Sequence, residues 1–349
     1  MPIIKDSKEA KKIFDWARER NVCLVAFATE NQHTTETILR ATHEIGKEYK
    51  IKNPPVIITF PVTYPYRPQA VHYTITRNAL LGFRAIMDDI EILVSEDSAY
   101  KDVQLMIGLD HGQPDTDKEI LEKELEKLAL VMYDCSHMPF EENIERTAKF
   151  VEKTKDKVLV EGAVDEIYEA RKSRIRSELT PVEKAERFAK ETGVYLIVPN
   201  LGTEHRSTKS KLHYSSRRAR EISRKVGRKL VLHGVSSLNT HYLKNLSNDG
   251  IVKANIWTVL ERVGGEILAM ETVRQLGNLL NEEQIKDLSQ KGFLGQRYFQ
   301  KDYIDKVCRG EIGPKLLHIT EKARTEIWIR PVIEKIKFYL KTLGYERLS

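Results

Sequence analysis

The sequence has few cysteines and no long hydrophobic run, and both absences exclude classes of protein. Its 349 residues include three widely separated cysteines, Cys23, Cys135 and Cys308, with no Cys-x-x-Cys pair. This argues against a disulfide framework or a thiolate zinc site and is typical of a reducing compartment, so we expect a cytoplasmic protein. No apolar run approaches the ~18–20 residues that span a bilayer. The N-terminal segment is too charged for the core of a secretory signal, so we expect no membrane partner.

The sequence also lacks a strong excess of charge of one sign. Lys and Arg number 57 against 51 Asp and Glu, which leaves a net charge of +6. The basic cluster between Arg217 and Lys229 is interleaved with Glu221 and favours a solvated helix face over a nucleic-acid surface. We therefore expect no nucleic-acid partner.

Two nucleotide-binding motifs, Gly-x-Gly-x-x-Gly after the first strand and Gly-x-x-x-x-Gly-Lys-[Ser/Thr], are missing. What the chain has instead is eight short apolar runs rich in β-branched residues, each followed by a polar or amphipathic stretch. These predicted strands are Val22–Ala28, Pro55–Phe60, Val103–Asp110, Ala129–Asp134, Lys157–Gly162, Val194–Asn200, Lys229–Gly234 and Ile251–Ile256. Nearly continuous apolar strands are typical of a parallel sheet covered on both faces. The pattern predicts an α/β protein with a (β/α)₈ TIM barrel, and an open doubly wound sheet is the rival.

Several stretches between these runs have helical spacing. The clearest predicted helices are Thr34–Tyr49, Phe140–Thr154, Thr180–Thr192 and Ser215–Val226. Segments beyond a minimal barrel are expected at Thr63–Tyr100 and at about residues 278–319, and a C-terminal helix over 320–349 packs outside the barrel. With no linker or repeat, we expect a single domain over 1–349, whose additional surfaces suit a homo-oligomer, a dimer or tetramer.

Polar residues follow the predicted strands where a barrel gathers side chains at one mouth. Four histidines stand at such ends, His111, His137, His205 and His233, and three of them follow strands three, six and seven. A single histidine there would be explained by ordinary hydrogen bonding. Three neutral imidazoles with one position left open are the pattern of a catalytic zinc site. Asp110 and Asp134 lie beside these histidines in sequence, which favours the metal interpretation.

Several ordered motifs carry a resemblance to a known family. They are Val22-Cys23-Leu24-Val25-Ala26-Phe27, Leu109-Asp110-His111-Gly112, Val131-Met132-Tyr133-Asp134-Cys135-Ser136-His137, Gly202-Thr203-Glu204-His205, Leu232-His233-Gly234-Val235-Ser236 and Gly250-Ile251-Val252-Lys253-Ala254-Asn255-Ile256. Together they resemble the class II (zinc-dependent) fructose-bisphosphate aldolase family, which includes tagatose-bisphosphate aldolases. The resemblance runs from about residue 10 to 275 and resumes near 320–344.

The resemblance implies roles for individual residues. His111, His205 and His233 would bind Zn²⁺ or another divalent metal, which acts as a Lewis acid. Asp110 would exchange a proton with the hydroxyl of the aldehyde-derived half. Asp134 matches a carboxylate associated with an alternative metal position, and Glu161 would orient a ligand histidine. The substrate-binding candidates are Gly202, Gly234, Ser236, Asn255 and Thr258.

The chain also departs from the family pattern at positions that contact the donor substrate. The family's Gly-Gly-Ser-Gly turn is Gly234-Val235-Ser236-Ser237, and its Asn-Ile-Asp-Thr segment is Asn255-Ile256-Trp257-Thr258. Ala28, Pro61 and Ala163 replace an asparagine, a serine or threonine, and a second carboxylate. Because the expected ligands are kept while donor contacts change, we expect metal-enolate chemistry on a different ketose.

The predicted function is reversible retro-aldol cleavage of a ketose or ketose (bis)phosphate through a zinc-stabilised enediolate, in carbohydrate metabolism such as glycolysis. The substrate would be a small sugar or sugar phosphate. A sugar-phosphate epimerase using the same chemistry and a catalytically silent sugar-phosphate-binding protein are the alternatives. A loop acid is also expected, and its candidates are Asp165, Glu166, Glu169 and Glu178.

Overall fold

The structure is a computed structural model that describes residues 3–166, 178–203, 214–295 and 327–349. The chain divides into two compact units. The first comprises Met1–Val259 together with Ile336–Ser349, and the second comprises Leu260–Lys335. Both the predicted strands and the polar residues at their ends lie in the first unit.

In the residues that the structure describes, nine parallel strands form the sheet of the first unit. They are β1 (Ile3–Ile4), β2 (Leu24–Ala28), β3 (Pro55–Phe60), β4 (Gln104–Gly112), β5 (Leu130–Tyr133), β6 (Leu159–Ala163), β7 (Leu196–Val198), β8 (Leu230–Leu232) and β9 (Ile251–Ile256). Their order is β1-β4-β3-β2-β9-β8-β7-β6-β5, and β4 also pairs with β5. That last pairing closes β2–β9 into an eight-stranded barrel, while β1 adds to the first half of β4 through Ile3 opposite Leu105. The predicted (β/α)₈ fold is confirmed.

The barrel strands form where the sequence has nearly continuous apolar residues. Every residue of β2, β3 and β9 is buried, as expected of strands that are covered by side chains within the barrel and by helices outside it. The predicted bounds agree with the structure for β3 and β9. The predicted strands at β7 and β8 extend beyond the paired residues, because their flanking residues turn into loops before pairing.

Helices follow most strands of the described chain. Their bounds are Ser7–Glu19, Gln32–Tyr49, Gln69–Tyr73, Ala79–Leu93, Lys118–Lys123, Phe140–Thr154, Val182–Thr192, Ser216–Val226, Thr240–Asn245, Thr258–Arg274, Leu276–Leu279, Glu282–Gln290 and Ile329–Thr342. Asn31 and Asn78 cap two of these helices by accepting backbone N–H bonds. Among these described helices, none has the length and apolar character needed to cross a membrane.

Two predicted segments differ from the structure in detail. The segment Thr63–Tyr100 contains Ala79–Leu93, the helix that follows β3 in the ordinary alternation of the barrel. The helix predicted from Thr180 begins at Val182, because the Thr180 hydroxyl donates to Asp165 instead of accepting from the first turn. The segment expected at 278–319 lies partly outside the described residues, and the single-domain prediction stays a prediction.

Candidate active site

The end of β4 brings two consecutive polar side chains to one place. Asp110 and His111 are 7% and 4% exposed. Successive residues of a regular strand point to opposite faces. Here the register with β5 shifts between Leu109 and Gly112, and His111 has a φ of +46°, in the left-handed region. This irregularity explains how neighbouring residues reach one cluster.

His233, just after β8, completes that cluster. One potential ligand atom from each of Asp110, His111 and His233 lies within 4.8 Å of the others, and all three residues are buried. The two imidazole rings have centroids 5.1 Å apart at an interplanar angle of 74°. Two ring nitrogens and a carboxylate oxygen so close together are a donor set that fits a divalent cation. The third expected histidine ligand, His205, lies outside the described residues.

Asp134, after β5, fixes the ring of His111. Its Oδ2 lies 2.6 Å from Nδ1 of His111, while its Oδ1 accepts from the backbone N–H and hydroxyl of Ser136. Burial raises the pKa of Asp134, but the hydrogen bonds from His111 and Ser136 outweigh burial and lower it to about 2. A carboxylate at Nδ1 favours the neutral tautomer with its lone pair on Nε2, the form that binds metals.

Charges around His111 oppose the effect of its burial. Burial alone would lower the pKa of His111, but the negative charge of Asp110 and the hydrogen bond to Asp134 raise it above its ordinary value. A ring that attracts a proton in this way also attracts a cation, because the same two carboxylates stabilise either positive charge.

Asn255, at the end of β9, links the members of the cluster. Its Nδ2 lies 3.2 Å from Oδ1 of Asp110 and 3.1 Å from Nε2 of His233. Its Oδ1 is buried and has no hydrogen-bond partner within the described residues. The residue expected to bind substrate therefore stands at the cluster with an acceptor available.

Glu161, which the resemblance expects to orient a ligand histidine, pairs with a lysine in the described residues, and its expected role stays a prediction because His205 lies outside them. Both of its carboxylate oxygens lie against Nζ of Lys253, at 2.7 and 2.9 Å, and both residues are almost fully buried. Burial raises the pKa of Glu161 although the Lys253 charge lowers it. The lysine reaches Glu161 across the barrel interior from β9, so Glu161 serves a buried ion pair in the described part of the chain.

The remaining substrate-binding candidates lie in turns at the same end of the barrel. Gly202 and Gly234 have φ of +91° and +68°, which an L side chain rarely adopts. The Ser236 hydroxyl accepts from the backbone N–H of Val259, next to Thr258, the first residue of its helix. These placements leave the assigned roles as predictions.

The candidates for the loop acid do not share one environment. The Asp165 carboxylate accepts hydrogen bonds from Thr180 and Lys184, so its oxygens take part in structural contacts. Glu166 and Glu178 are exposed, and Glu169 lies outside the described residues. His137, at the end of β5, is likewise exposed and takes no part in the cluster.

Sequence reasoning missed the residues that the loop after β3 brings to the mouth. The Tyr64 ring is stacked on His111, with centroids 4.2 Å apart and planes 12° apart. The Arg67 guanidinium lies over Trp257, 4.6 Å from the ring centroid, and its Nε is 3.3 Å from Oε1 of Glu30. The run of aromatic, proline and arginine residues directly after a strand was the available signal.

Comparisons with known proteins indicate one family. The family model described as fructose-bisphosphate aldolase class-II matches residues 8–298. A fructose-bisphosphate aldolase of Staphylococcus epidermidis is 25% identical over 291 residues, covering 82% of this chain and 90% of the relative. The fold is also similar to two crystal structures. The fructose-bisphosphate aldolase of Campylobacter jejuni has a TM-score of 0.72 at 16% identity, over 98% of this chain and 95% of that one. The YdjI aldolase of Escherichia coli K12 has a TM-score of 0.61 at 18% identity, over 96% and 97%.

The closed barrel and the match to the family model identify an aldolase-type carbon–carbon lyase. The chain belongs to the class II fructose-bisphosphate aldolase family, because the family model spans most of its length. The resemblance seen in the sequence is thereby confirmed, and the low identities make this chain a divergent member.

Proposed function

We propose that this enzyme catalyses the reversible retro-aldol cleavage of a ketose or ketose phosphate with the help of a divalent metal. The observation that carries the proposal is the convergence of Asp110, His111 and His233 in a buried cluster at the carboxyl ends of the strands. In a (β/α)₈ barrel this is the end at which chemistry takes place. Family membership supports the same class of reaction.

His111 and His233 would hold the cation, with His205 as a third ligand, and zinc suits a site rich in imidazole. When bound, such a cation is a Lewis acid for the negative charge that develops on the ketone and hydroxyl oxygens. Asp134 keeps the His111 ring in place through the 2.6 Å contact at Nδ1. The chain thus supplies a rigid cation site on separate strands.

Asp110 would move the proton that cleavage requires. As the carbon–carbon bond breaks, the hydroxyl of the aldehyde-derived half loses a proton, and a buried carboxylate beside the cation site is placed to accept it. The Asn255 amide, 3.2 Å from Oδ1 of Asp110, restricts the orientation of that carboxylate. In the reverse direction Asp110 would return the proton to the carbonyl oxygen of the aldehyde.

The turns at Gly234 and Ser236 and the start of the helix at Thr258 would contact the substrate. Backbone N–H groups at a helix start suit an anionic group. The relatives from Staphylococcus epidermidis and Campylobacter jejuni are named fructose-bisphosphate aldolases, which supports a sugar phosphate as substrate. The changed residues around these turns support a ketose other than that of the relatives.

The test is a screen of ketoses and ketose phosphates, with and without a chelator, that scores cleavage and epimer products separately. Asp110→Ala should lower turnover by on the order of 10²-fold or more while keeping the metal and the fold. Asp115→Ala, an exposed acid on the following loop, is the matched control and should have no effect. If the screen yields epimers and no cleavage fragments, the proposed lyase activity is wrong and the enzyme is an epimerase. Unchanged turnover would remove Asp110 from the mechanism, and loss of the metal would make it a ligand.

A further inference from the structure

We propose that Arg67 and Trp257 form a subsite for an oxyanion, a phosphate or a carboxylate, carried by the substrate. The subsite lies at the barrel mouth, among the loops that follow β2, β3 and β9. Its link to a substrate rests on the proposed function, whereas its capacity to bind an anion does not.

The loop that carries Arg67 is held on both sides. The backbone N–H of Arg67 donates to the carbonyl of Tyr64 at 2.9 Å, which forms a tight turn between Pro65 and Pro68. The hydroxyl of Thr63 lies 2.5 Å from Oδ1 of Asp117, in the loop after β4. On the other side, the Gln69 amide donates to the carbonyl of Glu30, after β2. The guanidinium is therefore presented by an anchored turn, which gives it a defined position at the mouth.

The surroundings of Arg67 are unusual for a charged side chain. Only 12% of it is exposed, although it belongs to a loop. One face lies over the indole of Trp257 and one nitrogen faces Glu30. Cation–π contact of this kind stabilises a partly desolvated guanidinium through its flat face, whereas a guanidinium binds oxyanions through its in-plane N–H groups. A solvent-facing arginine that merely adds solubility needs neither contact.

The indole adds a donor to the same place. Nε1 of Trp257 is buried and has no hydrogen-bond partner within the described residues. An indole N–H donates only, so an acceptor atom is needed to satisfy it. A buried donor beside a guanidinium calls for one kind of ligand group, an oxygen atom with negative charge. Phosphates and carboxylates supply such oxygens and match the guanidinium fork.

Charge at the mouth supports the same conclusion. The family pattern carries a carboxylate at the position of Trp257, and a carboxylate there would both pair with Arg67 and repel an anion. An indole does neither. Glu30 is an acid that contacts Arg67, at 3.3 Å, and its side chain is 21% exposed. An incoming oxyanion would share the guanidinium with Glu30 or displace it, so Glu30 sets the affinity of the subsite.

The first test compares a ketose phosphate with the same unphosphorylated ketose. Arg67→Met should raise KM for the phosphorylated member on the order of 10–100-fold, the range for hydrogen bonds to charged groups. It should leave kcat and KM for the neutral member within about two-fold. Arg67→Lys should fall between, because an ammonium keeps the charge without the fork. Arg77→Met, an exposed arginine further along the same segment, is the control and should change neither substrate. Equal effects of Arg67→Met on both substrates would reduce Arg67 to a structural role and overturn the subsite.

The second test needs no catalysis. Inorganic phosphate and acetate are titrated into the metal-loaded protein by calorimetry, with wild type, Arg67→Met, Trp257→Phe and Glu30→Gln. Arg67→Met should weaken binding of one or both anions, Trp257→Phe should weaken it less, and Glu30→Gln should strengthen it. Dependence on Arg67 for phosphate or for acetate tells which group the substrate carries. If anions bind through Arg67 but no ketose is cleaved, the proposed function fails and the subsite stands. If Arg67→Met binds both anions as wild type does, the subsite fails whatever the activity.

Discussion

The two halves of the barrel mouth differ in how their chemistry is held. In the strand-borne half, Asp110, His111, His233 and Asn255 stand on or directly after β4, β8 and β9, and hydrogen bonds fix them within the barrel. In the loop-borne half, Arg67 and its partners lie on turns beyond the strand ends. Geometry on strands is rigid and suits a cation, whereas loops vary easily and suit specificity for different substrates. The comparison separates reaction type from substrate choice.

His233→Ala should produce the largest effect, since it removes a ligand from the strand-borne half. Metal affinity should fall by more than the ~10–100-fold typical of residues that only support a ligand. Metal content after dialysis against a weak chelator, determined by atomic emission, measures this. His241→Ala, an exposed histidine on a neighbouring helix, is the control, and Arg67→Met should keep its metal. A full complement of metal in His233→Ala would refute its role as a ligand.

Lys253→Met should lower the free energy of unfolding of the protein, and it should not act through the loop-borne half of the mouth. It leaves the Glu161 carboxylate buried without its cation, a change that typically costs about 3–5 kcal/mol. Urea unfolding measures the free energy of unfolding. The double variant Lys253→Met with Glu161→Met removes both charges and should be more stable than the single variant. Trp257→Phe, from the loop-borne half, should lose less. A single variant within about 1 kcal/mol of wild type would contradict the burial of this pair.

Asp134→Asn should shift the pH dependence of metal binding. The pKa of His111 is raised in the metal-free protein, so a proton competes with the metal as pH falls through that raised value. An amide removes the negative charge at Nδ1, lowers the pKa of His111, and moves the midpoint of the affinity–pH curve to lower pH. At high pH the affinity should still be weaker by ~10–100-fold, since the ring is less well oriented. A competing metallochromic dye, read from acid to alkaline pH, measures both effects, and an unmoved midpoint would contradict them.

The barrel could be predicted because its signals are local. Each strand is a short run such as Pro55–Phe60 or Ile251–Ile256, and the structure keeps those two bounds unchanged. Because the strands are buried on both faces, their apolar pattern is continuous. The number of these apolar runs then predicts the eight-stranded barrel. The second unit has no such pattern of apolar runs. From the sequence, its segment could therefore be predicted only as an addition to the minimal barrel.

The candidate site was predictable in part for the same reason. Asp110 and His111 lie at the end of β4 and His233 directly follows β8, so their convergence follows from topology. The partner of Glu161 was not predictable, because the distance between β6 and β9 across the barrel does not appear in the sequence. Arg67 was missed because its position depends on a turn and on a tryptophan far along the chain.

The ion pair of Glu161 and Lys253 has a consequence for the shape of the barrel. Strands β6 and β9 are separated by β7 and β8 and share no backbone hydrogen bonds. The contact between their side chains is therefore a chord across the inside of the barrel, which joins two strands that are not neighbours. Any change in the cross-section of the barrel that moves β6 relative to β9 must stretch or break this buried ion pair, although no backbone hydrogen bond joins the two strands.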